Sequence, residues 1–149
     1  METQKTVDII RRMRHDFGNH LQVISGYIEL QRYSDVKKYI NSIIEEMADQ
    51  RRIFETSSAK IALYLFEQIL MARDLGIILR YKELDIHKPA VLIDNNEPFN
   101  SLVELTRHLE VINEEPVVYL SLYQNDNGVR MVFNGEVLQE NPTTISIKE

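Results

Sequence analysis

Apolar residues recur three or four positions apart along the first part of the chain. Ile10, Met13, Phe17, Leu21, Ile24 and Ile28 fall into one stripe at about 100° of rotation per residue. That spacing predicts a single long amphipathic helix over about 4–31. Tyr33-Ser34-Asp35 then marks a turn, with Ser34 as N-cap and Asp35 at the positive end of the next helix. Val36, Ile40, Ile43 and Met47 carry a second stripe that runs to about Phe54. Helices joined by so short a link fold back as an antiparallel hairpin. A lone hairpin leaves one side of each apolar seam in water. Either a second copy or the chain's own C-terminal part must cover it. The expectation is a homodimer whose two hairpins form a four-helix bundle.

The pattern changes after residue 55. Ser57-Ser58 opens a third helix with Ile61, Leu65, Ile69 and Ala72 inward, ending at Gly76, which suits the left-handed position after a helix. Ile77 to Leu84 reads as a strand, and His87-Lys88-Pro89 breaks it. Glu97 to Ile112 reads as a fourth helix with Leu102, Leu105 and Leu109 on one face. Val117–Tyr123 and Val129–Phe133 alternate around Asn125-Asp126-Asn127-Gly128 and predict a β-hairpin, and Thr143 to Lys148 reads as a closing strand. The fold class is therefore α+β, with a helical hairpin at 1–55 followed by a small α/β domain at 56–149.

Composition narrows the functions available. A chain of 149 residues holds one domain or two small ones. Its net charge of −6 argues against a general nucleic-acid binder, which needs a basic stripe. With no cysteine, a disulfide framework and cysteine-ligated metal are excluded. No apolar run approaches the roughly 20 residues that span a bilayer, and the N-terminus lacks the apolar core of a signal peptide. A cytoplasmic location without membrane attachment is expected.

The candidate chemistry lies on the first helix, opposite the apolar stripe. His15 points away from the stripe, and Arg11, Gly18, Asn19, Gln22 and Gly26 share its side. Glycine within a helix costs about 1 kcal/mol relative to alanine, so two on one face suggest close approach by a partner protein. Asn19 follows His15 by one turn, and Asp16 is its neighbour. Arg11 and Arg14 can offset phosphate charge, whereas Arg12 reads as a solvated cation. His20 falls near the edge of the stripe and reads as a packing residue rather than a second acceptor.

The string Arg14-His15-Asp16-Phe17-Gly18-Asn19-His20-Leu21-Gln22-Val23-Ile24, followed by Gly26-Tyr27-Ile28-Glu29-Leu30, resembles the phosphoacceptor helix of two-component histidine kinases. It is most similar to the branch containing the sporulation-initiation phosphotransferase family, and the likeness covers residues 11–40. That resemblance implies a phosphorelay protein in which His15 takes a phosphoryl group from one response-regulator receiver domain and passes it to another. Asp16 would orient the ring, accept its proton or offset a local charge, and Asn19 would contact the phosphoryl oxygens or a water. Arg11, Arg14, Gly18 and Gln22 would meet the receiver. The protein would need no cofactor of its own, and Mg2+ would sit on the receiver's carboxylates.

The order of elements after residue 56 resembles a stripped histidine-kinase ATPase domain without its nucleotide chemistry. The family's asparagine-rich helix corresponds to Phe99–Leu109, which has no Asn-Asp pair on its polar face, only Asn100 near its start. The Asp-x-Gly-x-Gly adenine loop is replaced by Asn134-Gly135-Glu136-Val137, and no glycine follows Gly135 to build a lid. The domain is expected to be degenerate and the protein not to use ATP. Two alternatives stay open. One is a fragment or inactive remnant of a sensor histidine kinase, and the other is a non-catalytic regulator that binds receivers.

Overall fold

The computed structural model describes residues 2–56, 58–109 and 115–149. The elements are α1 (Glu2–Glu29), α2 (Tyr33–Thr56), α3 (Ala59–Asp74), β1 (Ile78–Asp85), α4 (Ala90–Asp94), α5 (Phe99–Leu105), β2 (Val117–Asn125), β3 (Gly128–Asn134) and β4 (Thr143–Lys148). This is a mixed α+β chain, with N-terminal helices and one four-stranded sheet. It divides into two compact units, Met1–Met47 and Ala48–Glu149.

In the first unit α1 and α2 are joined by a three-residue reversal earlier than the expected turn at Tyr33-Ser34-Asp35. Gln31 takes the left-handed conformation, with φ of 58°. Its N–H donates to Ile28 O and that of Arg32 to Tyr27 O, which satisfies the last carbonyls of α1. Helix α2 therefore starts at Tyr33, so Ser34 lies inside its first turn rather than at the cap. Asp35 does occupy the first turn, where Arg32 Nε donates to its carboxylate at 2.6 Å. The half-buried row of α1 includes Thr6, Ile9, Arg12, Asp16, His20, Ile24 and Tyr27, so Arg12 is not the fully solvated cation read from the sequence. Its counterpart on α2 includes Asp35, Val36, Tyr39, Ile43 and Glu46. Most of the apolar stripe read from the sequence lies elsewhere. Ile10, Met13, Phe17, Leu21 and Ile28 stay exposed, as do Ile40, Ile44 and Met47 on α2.

The second unit begins within α2. Ile53 is fully buried, the Phe54 and Phe66 rings lie 5.6 Å apart, and Arg52 Nη1 donates to the Lys82 carbonyl at 2.7 Å. Ser58 caps α3 by accepting from Ile61 N; Ser57 lies outside the described residues. Ile61, Leu65, Ile69 and Ala72 are all buried. At the other end Gly76 has φ of 82°, its N–H bonds Arg73 O, and Ile77 N–H bonds Ala72 O, the double closure for which a left-handed glycine is suited.

The sheet order is β1-β2-β3-β4, with β1 parallel to β2 and the other pairs antiparallel. Alternation places Leu79, Tyr81, Val118, Leu120, Leu122, Val129, Met131 and Phe133 in the core beneath the helices. The buried Tyr81 hydroxyl donates to Leu65 O and so ties β1 to α3; burial pushes its pKa well above the usual tyrosine value. The expected β-hairpin forms around Asp126-Asn127, with Asn127 N–H donating to Asn125 Oδ1.

Gly128 is required by its neighbour strand. Its φ is 148°, and an added Cβ would lie 1.9 Å from Ile147 O. Gly128→Ala should therefore destabilise this unit by about 2 kcal/mol or more, from the clash with β4 together with backbone strain. A lower urea midpoint would register that loss, while an unchanged midpoint would mean that β4 yields.

Two parts of this unit differ from expectation. The short helix α4 follows Pro89, where only a break was read; it buries Val91 and Leu92. The fourth expected helix, from Glu97 to Ile112, is seen as α5, Phe99–Leu105; residues 110–112 lie outside the described residues. Thr106 ends α5 as its hydroxyl donates to Leu102 O at 2.6 Å. Gln68, only 2% exposed, fixes the link between α4 and α5. Its Oε1 accepts from Phe99 N and its Nε2 donates to Asn96 Oδ1.

Candidate functional site

Helix α1 is unbroken across the histidine-bearing segment, so the positions of its side chains follow from helical spacing. The His15 side chain is 74% exposed and that of Asp16 is 28% exposed. The difference arises because Asp16 belongs to the half-buried row against α2 and His15 does not. Asp16 Oδ1 lies 3.7 Å from His15 Nδ1, and Asn19, one turn on, brings its amide to 3.4 Å of the same nitrogen. Two of the proposed catalytic side chains, Asp16 and Asn19, thus approach one ring nitrogen of the third, His15.

The proposed contact residues divide. Arg11, Gly18 and Gln22 lie on the His15 side of α1, with Arg11 and Gln22 exposed. Arg11 Nη1 pairs with Asp8 Oδ1 at 3.4 Å, so part of its charge is already met. Arg14 is exposed and makes no ion pair among the described residues, but its position is about 100° round the helix from His15. A Cβ at Gly18 or Gly26 would meet nothing within 4 Å, so no packing among the described residues demands either glycine.

His20 packs, as its position suggested, and it also bonds. Its Nδ1 lies 2.6 Å from the Tyr39 hydroxyl of α2, and the two rings meet edge-on with centroids 5.6 Å apart. Tyr39 also contacts Tyr27 edge-on, and the Arg32 guanidinium lies 5.3 Å from the Tyr27 ring centre. Burial, followed by the nearby Glu46 and Tyr27, raises the pKa of Tyr39 above the ordinary tyrosine value. Tyr39 was not among the sequence candidates. Its only signal was a tyrosine on the same helical row as Val36 and Ile43.

Among the described residues no group of three or more His, Cys, Asp or Glu side chains gathers as a metal site. No described helix is long and apolar enough to cross a membrane. No curated protein matches the chain. Residues 1–56, which comprise α1 and α2, match the family model described as Sensor_kinase_SpoOB-type, alpha-helical domain, and so relate this helical hairpin to the two-component signalling proteins.

Proposed function

We propose that this protein is a phosphorelay histidine phosphotransferase, acting through His15 between two response-regulator receiver domains. The observation that carries the reading is the exposed His15 ring, bracketed at Nδ1 by Asp16 and Asn19, on a hairpin that matches a sensor-kinase helical domain.

The chemistry follows from which nitrogen is occupied. A proton on Nδ1 faces the Asp16 carboxylate, and rotation of the Asn19 amide exchanges its donor nitrogen for an acceptor oxygen. The Nε2 lone pair is then the nucleophile. It attacks the phosphorus of the donor receiver's aspartyl phosphate, the P–O bond breaks, and that aspartate leaves as a carboxylate. Asp16 stabilises the positive charge the ring acquires. In the second half-reaction the acceptor receiver's aspartate attacks phosphorus and the P–N bond breaks. Transfer of this kind depends on alignment and charge neutralisation more than on covalent help, so an acceptor on a rigid helix suits it. Magnesium belongs on the receiver. Arg11, Arg14, Gly18 and Gln22 form the surrounding receiver-contact surface, and the bare ground at the glycines supports close approach.

In this reading residues 1–55 are the dimerisation and phosphotransfer domain, and 56–149 are a degenerate ATPase-like domain in a cytoplasmic protein. The uncovered stripe at Ile10, Met13, Phe17, Leu21 and Ile28 supports a dimeric four-helix bundle. The absence of an adenine loop and glycine lid in the sequence supports independence from ATP. Asn100, the one asparagine on α5, donates its side-chain N–H to Asn95 O within its own loop. A sensor-kinase remnant is the second reading, favoured by the description of the matched family model.

Incubation with a panel of phosphorylated receiver domains, alongside labelled ATP with magnesium, tests the proposal. Acid-labile label should reach the protein from a receiver and none from ATP. Label from ATP alone would return the protein to the kinases. Receiver binding without any transfer would make it a non-catalytic regulator.

A further inference from the structure

Helix α1 carries two faces that could pack on α2. One is the row Ile9, Asp16, His20, Ile24 and Tyr27; the other is the stripe Ile10, Met13, Phe17, Leu21 and Ile28, lying roughly 80° round the helix. Apolar burial alone favours the second, since it holds no polar side chain, yet the structure turns the first toward α2 and leaves Phe17 64% exposed. With the stripe left for a second copy, the row that meets α2 within one chain is held in place by its own specific contacts. One specific bond across the hairpin joins His20 Nδ1 to the Tyr39 hydroxyl at 2.6 Å. Rotation of α1 by that angle would separate the pair and leave the half-buried Tyr39 hydroxyl unmatched, which is costly for a group removed from water. A specific polar contact in a helical seam is a known means of fixing register.

The same rotation would carry His15 round to a different side, by several ångström at the radius of a side chain. Asp16 would move with it, from the border of the seam toward solvent. We propose that Tyr39 is a positioning residue for phosphoryl transfer at His15, acting through its hydrogen bond to His20, which selects the face of α1 that packs on α2. This inference rests on the phosphotransfer reading for its functional part. The Tyr39 ring is itself braced by Tyr27, over which Arg32 lies, and Arg32 is anchored by Asp35 at the helix reversal. With the Tyr39 O–H as donor, His20 Nδ1 accepts, and the side-chain oxygen of a glutamine at that position can accept in its place.

The test is a double-mutant cycle in the full-length protein. Tyr39→Phe and His20→Leu should each slow single-turnover transfer from a saturating phosphorylated receiver by about a hundredfold, the scale of a misplaced reacting group. The receiver concentration for half-maximal rate should not change. The double variant should be no slower than either single one, and His20→Gln should recover most of the rate. Ring resonances of His15 in NMR spectra should move in Tyr39→Phe and in His20→Leu, which reads its placement with no phosphate present. An unlabelled wild type would sink the phosphotransfer reading, whereas shifted His15 resonances would still uphold the selection of the α1 face. Unchanged resonances and unchanged rates in both single variants would overturn the positioning role. So would additive losses, or a fall in transfer that only follows a fall in helix content.

Discussion

His15→Gln is expected to abolish label transfer from a phosphorylated receiver while leaving the helical content and melting behaviour of the protein unchanged. Both halves of that expectation have a physical origin. The side chain is 74% exposed, so its removal opens no cavity, and glutamine is at least as good a helix former as histidine. The carboxamide has no ring lone pair able to form a P–N bond, so nothing remains to accept the phosphoryl group. His20→Gln is the matched control, since it removes the other imidazole of the helix, whose Nδ1 meets Tyr39. It should keep its label. Asp16→Asn should fall between the two, because the ring keeps its nucleophile but loses the carboxylate 3.7 Å from Nδ1. Retained label in His15→Gln, or loss confined to His20→Gln, would move the acceptor to another residue.

Much of this arrangement was legible in the chain because it follows from period and from single decisive residues. The i, i+3, i+4 spacing located α1 and α2, Gly76 marked the end of α3, and Asn127-Gly128 marked the β2–β3 reversal. The exposure of His15 followed from its angle to the apolar stripe. Features that depend on short range or on choice of partner were not legible. Helix α4 spans five residues, too few for Val91 and Leu92 to show any period. Gln31, which reverses the first hairpin, is not a residue type that announces a left-handed turn. Above all, amphipathicity says which side of α1 is apolar but not what that side packs against. The stripe was read correctly as apolar, whereas the seam with α2 is a different and more polar row, centred on His20.

That distinction decides where a dimer should be broken. Phe17→Asp combined with Leu21→Asp is expected to convert the protein from a homodimer to a monomer, read as a halved mass by light scattering at micromolar concentration. In a single chain these side chains are 64% and 51% exposed, so charging them costs the hairpin little. In a bundle they would be buried against the second copy. Full burial of a leucine- or phenylalanine-sized side chain contributes about 1.5–3 kcal/mol. The five residues Ile10, Met13, Phe17, Leu21 and Ile28 from each copy, with Ile40, Ile44 and Met47 beside them, can therefore exceed the roughly 4–15 kcal/mol that association costs. Ile24 is the wrong place for this test although it belongs to the same sequence stripe. It is half-buried in the row that includes His20, so a charge there would disturb the single hairpin as well as the dimer. A wild-type protein already monomeric at micromolar concentration would refute the bundle.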